Sequence, residues 1–398
     1  MTATSTLNHP GLDDVLRAEL SRLREQHLER VPRTVGCRSG AIVETEHRRA
    51  TDFSSNDYLG LASDPRLVDA ATQVASQQGL GSGGSRLISG NNPEHEALEA
   101  EVAAFFDAEA ALTFSSGYAA NVGIIPALVG REDAIFADAL NHASLIDGCR
   151  LSRATVHVYA HADATALEAM LVRHRAHVRR SLIVTDGVFS MDGDRAPLAN
   201  LVDLARRFDA WTYLDDAHAV GVIGDSGRGT ASSVKLHGEV DVTIGTFGKS
   251  FGVAGAFVYG SATLRRFLLN RARSFVFSTA ASPPQAAACR AGVRIARDEP
   301  WRRDRVRANA IMLRAQLADN GIDVLGQHDA HIVPIVIADA ERVVAIGRAL
   351  ADRGFLVGAV RPPTVPDGGS RLRVTVSAAH TAEQITALAN ALSHVLAT

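Results

Sequence analysis

The chain lacks the features that mark secreted, membrane-spanning or metal-binding proteins. Its 398 residues include three cysteines, Cys37, Cys149 and Cys289, whose spacing forms neither a metal motif nor an even disulfide framework. No apolar run approaches the roughly eighteen residues of a membrane span, and the N-terminus, rich in Thr and Ser, lacks the apolar core of a signal peptide. We therefore expect a cytoplasmic protein of a reducing compartment, with no metal site and no membrane partner.

Charge of one sign is also scarce in any single stretch of the chain. No long block of Lys or Arg occurs, and the arginines between residues 173 and 180 are interleaved with histidines. The net charge of −3 and the charged fraction of 21% are those of an ordinary soluble enzyme, so we expect no nucleic-acid partner. A chain of this length can bury a large core and form two or three domains.

Between residues 94 and 260, short β-rich runs alternate with helical stretches. Seven runs have this character: 111–114, 134–137, 155–159, 182–185, 211–214, 242–245 and 256–259. Crossover helices between such runs predict an α/β fold with a mostly parallel sheet covered by helices on both faces. A smaller unit follows from about residue 330, with strands predicted at 332–337, 356–360 and 372–376 and helices near 340–352 and 381–395.

This pattern predicts three parts in the chain. We expect an N-terminal helical segment at 1–50, a large cofactor-binding domain at 51–290 and a small C-terminal α/β domain at 291–398, with the active site between the two domains. Apolar residues at near-helical spacing predict an amphipathic helix over 12–28. Farther on, Asp64-Pro65 predicts the start of a helix that ends at Gly79.

Two strand-end motifs are the most informative feature of the sequence. One predicted strand ends in DDAH (215–218) and the next in TFGK (246–249). Open α/β sheets bind ligands at the carboxyl ends of their strands, so an acid, an imidazole and an amine should meet there. A pyridoxal phosphate (PLP) enzyme needs a lysine that binds the cofactor aldehyde and an acid that keeps the pyridine nitrogen protonated. Lys249 and Asp215 are the residues predicted for these two roles. Strand side chains alternate, so Asp216 should face away.

The assembled motifs resemble the α-oxoamine synthases, a family of fold-type I PLP-dependent transferases, over nearly the whole chain. Six segments carry the resemblance in the order of the family: FSSNDYLGL (53–61), GSGGSR (81–86), SGYAAN (116–121), GVFSMDGD (187–194), the run around Lys249, and RPPTVP (361–366). The resemblance implies the fold-type I architecture, PLP as cofactor, and the decarboxylative condensation of a small amino acid with an acyl-CoA. Segment 81–85 and the RPPTVP loop look most like the biotin-pathway members, which implies L-alanine and pimeloyl-CoA, or a pimeloyl carrier protein, as substrates.

The phosphate of the cofactor is expected at the start of a helix. Gly117 and Tyr118 follow a predicted strand and open a helix, so their N–H groups and the helix dipole can hold a phosphate, with Thr246 as a hydroxyl donor. The resemblance further implies a homodimer with a shared active site. Thr279, which follows the apolar run at 275–277, resembles the residue that reaches the phosphate of the partner subunit.

The resemblance also assigns residues around the cofactor ring. His142 resembles the histidine that stacks on the pyridine and lies near the reacting carbon, where it also contacts the substrate. Ser190 and His218 resemble the residues that hydrogen-bond around the phenolic oxygen. With Lys249 and Asp215, these residues complete the expected ring environment, and the catalytic set is Lys249, His142 and Asp215.

Substrate contacts rest on fewer features. Asn56 and Arg373 match the asparagine and arginine that grip the substrate carboxylate in the family, and an arginine fork suits a carboxylate. Thr364 and an N-terminal arginine resemble contacts to the acyl substrate. Four arginines compete for that role, and we choose Arg30 from the set Arg22, Arg24, Arg30 and Arg33.

Two other readings remain open at this point. A different α-oxoamine synthase would use glycine or serine with another acyl thioester on the same scaffold. A non-catalytic acyl-CoA or nucleotide-binding module would also use glycine-rich turns to hold phosphates, although the intact lysine, acid and histidine argue against it. One departure from the family is Asp186, where many members carry Glu, which puts a contact around the site in doubt.

Overall fold

The protein is described here by a computed structural model that covers residues 11–46 and 48–397. Residues 1–10 and 47, which belong to the predicted N-terminal segment, and residue 398 lie outside the described residues. The helices are α1 (Leu12–Glu25), α2 (Pro65–Gln78), α3 (Pro93–Phe105), α4 (Gly117–Leu128), α5 (Ala143–Ser152), α6 (Ala164–His174), α7 (Leu198–Arg207), α8 (Thr230–Ser233), α9 (Ala262–Arg271), α10 (Arg273–Val276), α11 (Pro283–Asp298), α12 (Trp301–Asp319), α13 (Ala340–Asp352) and α14 (Ala382–Leu396).

The strands fall into three sheets. They are β1 (Val35–Ser39), β2 (Ile42–Thr45), β3 (Arg49–Asp52), β4 (Ala110–Phe114), β5 (Ala134–Asp138), β6 (Thr155–Tyr159), β7 (Ser181–Asp186), β8 (Trp211–Asp215), β9 (Val242–Thr246), β10 (Ala256–Gly260), β11 (Ile332–Ala338), β12 (Phe355–Leu356), β13 (Gly358–Val360) and β14 (Ser370–Thr375). The sheet orders are β1-β2-β3-β12, β4-β10-β9-β8-β7-β5-β6 and β11-β14-β13.

The large sheet contains all seven β-rich runs that the sequence predicts, which confirms the α/β fold class. Its strands pair in parallel except β10, which runs antiparallel to both β4 and β9. Along β10, Phe257 and Tyr259 pack into one core cluster while Ala256 and Val258 pack into another. Because successive strand side chains point to opposite faces, these two clusters are the cores on the two helix-covered faces.

The C-terminal unit surrounds a core of its own. The antiparallel sheet β11-β14-β13 packs with α12, α13 and α14, and the shared cluster includes Val333, Leu372 and Leu388. The run predicted as one strand over 356–360 is divided at Val357. Its first part, β12, pairs with β3, and its second part, β13, pairs with β14.

The N-terminal segment is more than the helical stretch that the sequence predicts. Helix α1 ends at Glu25 and buries none of its residues, and the strands β1, β2 and β3 follow it. The parallel pairing of β3 with β12 joins this segment to the C-terminal unit. The predicted domain boundary at 290 falls inside α11, so one continuous helix spans it.

Helix ends follow the local chemistry that the sequence shows. The side chain of Asp64 caps α2 by accepting the N–H of Arg66, with Pro65 in the first turn, and Gly79 ends the helix at φ 78°. A positive φ of this kind favours glycine because it has no Cβ. In the described part of the chain, no helix combines the length and the hydropathy needed to cross a bilayer.

Candidate active site

Three polar residues close three neighbouring parallel strands of the large sheet. Asp186, Asp215 and Thr246 are the last residues of β7, β8 and β9, and Asp186 stands directly beside Asp215 in the register. The sequence predicts that each of these strands ends one residue earlier, at 185, 214 and 245. The polar side chains therefore sit on rigid strand ends rather than in the loops that follow, at the edge where α/β sheets bind ligands.

Lys249 lies in the turn after β9, with its amine against an imidazole. Its Nζ is 2.9 Å from Nε2 of His218. Burial lowers the pKa of Lys249 to about 8, although the carboxylates of Asp215 and Asp186 favour the charged amine. An amine with this pKa is available near neutral pH both as a nucleophile and as a base.

Asp215 is a buried carboxylate that other side chains hold in place. Its Oδ2 accepts a hydrogen bond from Nδ2 of Asn121 at 2.7 Å, and its Oδ1 accepts the N–H of Ala217 at 3.1 Å. Tyr213 donates to the Asn121 oxygen at 2.7 Å, so the amide orientation is fixed. Asp216 is turned away, because its two oxygens accept from the N–H and the hydroxyl of Thr230.

The start of α4 has the features of a phosphate site. Ser116 caps the helix and accepts the N–H of Ala119, while the first N–H groups of any α-helix, here those of Gly117 and Tyr118, have no partner within the helix. Thr246 has a buried Oγ1 with no hydrogen-bond partner among the described residues. A Cβ at position 117 would lie 2.9 Å from Cγ2 of Thr246, so only glycine permits this approach. An orphan hydroxyl beside free N–H groups fits the phosphate of PLP.

His142 caps α5 close to Asp186. Its backbone N–H donates to Oδ2 of Asp186 at 2.7 Å, and its Nδ1 lies 2.7 Å from the hydroxyl of Ser144. The shorter acid at position 186 therefore reaches the histidine backbone. Burial raises the pKa of Asp186 well above its usual range, and the charge of Asp215 acts in the same direction.

A second cluster brings together the residues expected to bind the substrate carboxylate. Arg373 of β14 donates through Nη1 to Oδ1 of Asn56 at 3.1 Å and through Nε to the backbone oxygen of Ser190 at 2.5 Å. Its Nη2 is buried and has no partner among the described residues. The neighbouring Arg371 is instead paired with Asp192. The guanidinium of Arg373 thus keeps its Nη2 group free for an anion.

The residues expected to contact the acyl substrate also meet each other. Arg30 donates through Nη2 to Oγ1 of Thr364 at 3.1 Å. The competing Arg22 and Arg24 pair with Glu19 and Glu29. No contact between this pair and Lys249 is found among the described residues, so it forms a separate polar group.

Thr279 lies in the segment that follows α10. It pairs as an isolated β-bridge with Ser85, and it lines a small cavity of about 30 Å³ together with Ser115, next to the cap of α4. Within residues 11–46 and 48–397, no group of His, Cys, Asp or Glu is arranged to hold a metal ion.

Three residues that support the site were not predicted as site residues from the sequence. Asn121 holds Asp215 from within the SGYAAN motif, Tyr58 contacts His218 from within the FSSNDYLGL motif, and Arg361 of the RPPTVP loop donates to the backbone oxygen of His27. Each lies in a motif that the sequence analysis quotes. The motifs indicated that these residues matter, but not what they contact, because their partners are 94, 160 and 334 residues away in the sequence.

Comparison with known proteins agrees with this geometry. The aminotransferase class I and II family matches residues 48–392. An 8-amino-7-oxononanoate synthase of Alkalilimnicola ehrlichii is 48% identical over 98% of this chain and 100% of the relative. A serine palmitoyltransferase from S. paucimobilis, solved with a bound PLP–myriocin aldimine, superposes with a TM-score of 0.90 at 29% identity over 96% of each chain.

A second solved structure comes from the same group as the curated relative. The 8-amino-7-oxononanoate synthase from Francisella tularensis superposes with a TM-score of 0.76 at 27% identity, over 87% of this chain and 98% of that chain. The chain therefore belongs to the aminotransferase class I and II family and, within it, to the PLP-dependent acyltransferases called α-oxoamine synthases, which include the 8-amino-7-oxononanoate synthases of biotin biosynthesis.

Proposed function

We propose that the enzyme condenses L-alanine with pimeloyl-CoA and releases 8-amino-7-oxononanoate, CoA and carbon dioxide; with a pimeloyl carrier protein as donor, the free thiol of the carrier would leave in place of CoA. The relative that is 48% identical over 98% of this chain supports this choice. The structural observation that carries the amino-acid part is the buried Arg373, whose Nη2 is free while its Nη1 and Nε hold Asn56 and Ser190.

PLP, when bound, supplies an electron sink for the negative charge that develops at the α-carbon of the amino acid. Lys249 would hold the cofactor through its amine. Burial lowers the pKa of this amine to about 8, so the free Lys249 would also be suited to take the α-proton of the amino acid. Asp215, fixed by Asn121 and Ala217, would keep a proton on the pyridine nitrogen.

The remaining residues of the set bind and orient. Gly117, Tyr118 and Thr246 would hold the phosphate, and His142 would stack on the ring and contact the substrate. Ser190 and His218 would hydrogen-bond around the phenolic oxygen. Arg373 and Asn56 grip the carboxylate of alanine, which places the α-hydrogen toward the Lys249 amine.

The acyl donor ends in a carboxylate, which needs a cation or several donors when it is removed from water. Arg30 and Thr364 form a polar pair of this kind at the RPPTVP loop. Arg361 of the same loop donates to the backbone oxygens of His27 and Glu29, which ties the segment that carries Arg30 to this loop. We assign the distal carboxylate of pimeloyl-CoA to this group.

The functional unit in this proposal is a homodimer in the cytoplasm, where free alanine and acyl-CoA are available. Apolar side chains near the bridge between Ser85 and Thr279 are exposed in one chain: Ile88 is 85% exposed, Leu80 74% and Phe277 71%. A twofold interface would cover them and bring Thr279 to the partner's phosphate. Light scattering should give about twice the chain mass of 42.2 kDa, and a fully active monomer would refute the shared site.

A second candidate is an α-oxoamine synthase that uses serine or glycine with another acyl-CoA. This second candidate is retained because the TM-score is 0.90 with a serine palmitoyltransferase and 0.76 with an 8-amino-7-oxononanoate synthase. CoA release should be measured with alanine, glycine and serine, each paired with pimeloyl-, succinyl-, acetyl- and palmitoyl-CoA. Alanine with pimeloyl-CoA is expected to give the highest kcat/KM, and a higher value for another pair would replace the proposal.

A further inference from the structure

A continuous chain of hydrogen bonds runs from the Lys249 amine to Arg373. Nζ of Lys249 lies 2.9 Å from Nε2 of His218, and Nδ1 of that ring lies 2.6 Å from the hydroxyl of Tyr58. The same hydroxyl is 3.1 Å from Oδ1 of Asn56, which also accepts from Arg373 at 3.1 Å. Tyr58 is the one member of this chain to which the proposed function gives no role.

The position of Tyr58 is fixed from several sides. Its side chain is fully buried, and its ring packs edge-on against His331 with the centroids 4.2 Å apart. The carboxylate of the preceding residue, Asp57, accepts the N–H groups of Leu61 and Ala62 and so holds the turn. The hydroxyl therefore cannot move away from His218 without disturbing the core.

The protons in this chain of hydrogen bonds can be placed in two arrangements. Burial raises the pKa of Tyr58 and lowers that of His218 well below its usual range, so the phenol keeps its proton and the imidazole is neutral. A phenol has one proton to donate, and the Asn56 oxygen can only accept. If Tyr58 donates to Asn56, His218 donates to Tyr58 from Nδ1 and presents a lone pair to Lys249.

In the other arrangement, Tyr58 donates to Nδ1 of His218, whose proton then lies on Nε2 and points at Lys249. An ammonium group has three donors and no acceptor, so a charged Lys249 is compatible only with the first arrangement. A neutral amine is compatible with both. Protonation of Lys249 is therefore coupled to the direction of the Tyr58 hydroxyl.

Building on the proposed function, we infer that Tyr58 is a positioning residue, whose hydroxyl lets His218 present a lone pair to Lys249 when that amine has taken the α-proton. Tyr58 acts through His218 and touches neither substrate nor cofactor in this role. The Tyr58 hydroxyl also contacts Asn56, which accepts a hydrogen bond from Arg373. The chain of hydrogen bonds therefore begins at the residues that are proposed to bind the substrate carboxylate. Carboxylate binding and the basicity of Lys249 are thus linked through neighbouring hydrogen bonds.

Other charges also face the Lys249 amine and must stay constant in a test. Asp215 and Asp186 favour the charged form, whereas burial and Arg373 oppose it. Tyr58→Phe leaves all of these in place and keeps the ring that packs on His331. Without the hydroxyl, a proton on Nδ1 of His218 has no acceptor, so it moves to Nε2 and opposes the charged amine.

The direct test is the pH dependence of amine labelling in the full-length chain from which the cofactor has been removed. The sequence contains two lysines, Lys249 and the exposed Lys235, so trace labelling with acetic anhydride and mass spectrometry measures the first against the second in one digest. We expect Tyr58→Phe to lower the labelling midpoint of Lys249 by at least about half a pH unit. No substrate is present, so a wrong choice of substrate would not affect the outcome.

Two further variants complete the test. Tyr259→Phe removes the hydroxyl of another buried tyrosine, which stacks on Phe106 in the core, and should leave the midpoint unchanged. Asn56→Ala removes the acceptor, so that Tyr58 can donate only to His218, and the midpoint should fall as in Tyr58→Phe. This variant decides the question if Tyr58→Phe does not fold. Midpoints equal to wild type in the folded variants would overturn the role of Tyr58.

Discussion

The guanidinium of Arg30 donates a hydrogen bond to the hydroxyl of Thr364, at 3.1 Å and across 334 residues of sequence. The resemblance predicts Thr364, from the RPPTVP loop, and Arg30, from four competing N-terminal arginines, as contacts of the acyl substrate, and the fold places the two side by side. Arg30 is exposed, so its bond to Thr364 adds little to stability by itself. An incoming carboxylate would accept hydrogen bonds from both the guanidinium of Arg30 and the hydroxyl of Thr364.

Replacing Arg30 with Ala should therefore raise KM for pimeloyl-CoA about 10- to 100-fold and leave KM for alanine nearly unchanged, as expected for the loss of a charged hydrogen bond. Arg22→Ala is the matched control, because Arg22 is exposed on α1 and pairs with Glu19. Steady-state kinetics with pimeloyl-CoA and with an uncharged acyl-CoA of the same length separate the effects. Equal losses with both donors would show that Arg30 does not bind the distal carboxylate.

Lys249→Ala should abolish covalent attachment of the cofactor and turnover together, because one amine serves both steps. Borohydride reduction followed by peptide mass spectrometry locates the attachment in wild type. Lys235→Ala, at the exposed lysine, should behave as wild type. Condensation at a near wild-type rate in Lys249→Ala would contradict the assignment.

Asp215→Asn should keep PLP bound but slow α-proton removal by several orders of magnitude, since an unprotonated pyridine accepts electrons poorly. Deuterium exchange at the α-carbon of alanine, without acyl donor, measures this step alone. Asp216→Asn changes the neighbouring carboxylate, which bonds Thr230 rather than the site, and should retain exchange if it folds. Exchange at the wild-type rate in Asp215→Asn would remove this residue from the mechanism.

His161 joins the end of β5 to the segment after β7 through hydrogen bonds to two carboxylates. Its ring contacts Asp138 at 2.9 Å and Asp194 at 2.8 Å, and hydrogen bonds to these two carboxylates raise its pKa to about 10. The folded pKa lies above the unfolded value of about 6.5, so this stabilisation is complete below that pH and is lost as the pH rises toward 10.

His161→Gln should consequently lower the free energy of unfolding by roughly 2 kcal/mol at pH 6 and by much less at pH 10. Urea unfolding at pH 6, 8 and 10 measures the difference, and His177→Gln, at an exposed histidine, provides the baseline. A difference that does not change with pH would mean that the ring is held as a neutral group.

The sequence was sufficient for the large sheet because each of its strands is a separate β-rich run bounded by turn residues. The helix α13 also begins and ends as expected, since Asp339 caps it. Strands β1 to β3 were not anticipated. They are four or five residues long and partly exposed, and β3 is completed by β12, about 300 residues later, a pairing that no local pattern encodes.

The candidate site divides in the same way. Lys249, Asp215 and Gly117 follow from strand and helix ends, which a sequence shows directly. The roles of Asn121 and Tyr58 depend on which distant side chain they meet, so their motifs marked them without indicating a function. The sequence put a contact of Asp186 in doubt, because many family members carry the longer Glu at this position. In the structure β7 extends to Asp186, and its Oδ2 lies 2.7 Å from the backbone nitrogen of His142.

Turnover of L-alanine labelled with carbon-13 in its carboxyl group, in the presence of pimeloyl-CoA, tests the decarboxylative condensation most directly. The labelled carbon should leave as carbon dioxide in a one-to-one ratio with free CoA, and 8-amino-7-oxononanoate without the label should form in the same amount. CoA release without labelled carbon dioxide, or no reaction with alanine beside rapid turnover of serine with palmitoyl-CoA, would contradict the proposed reaction.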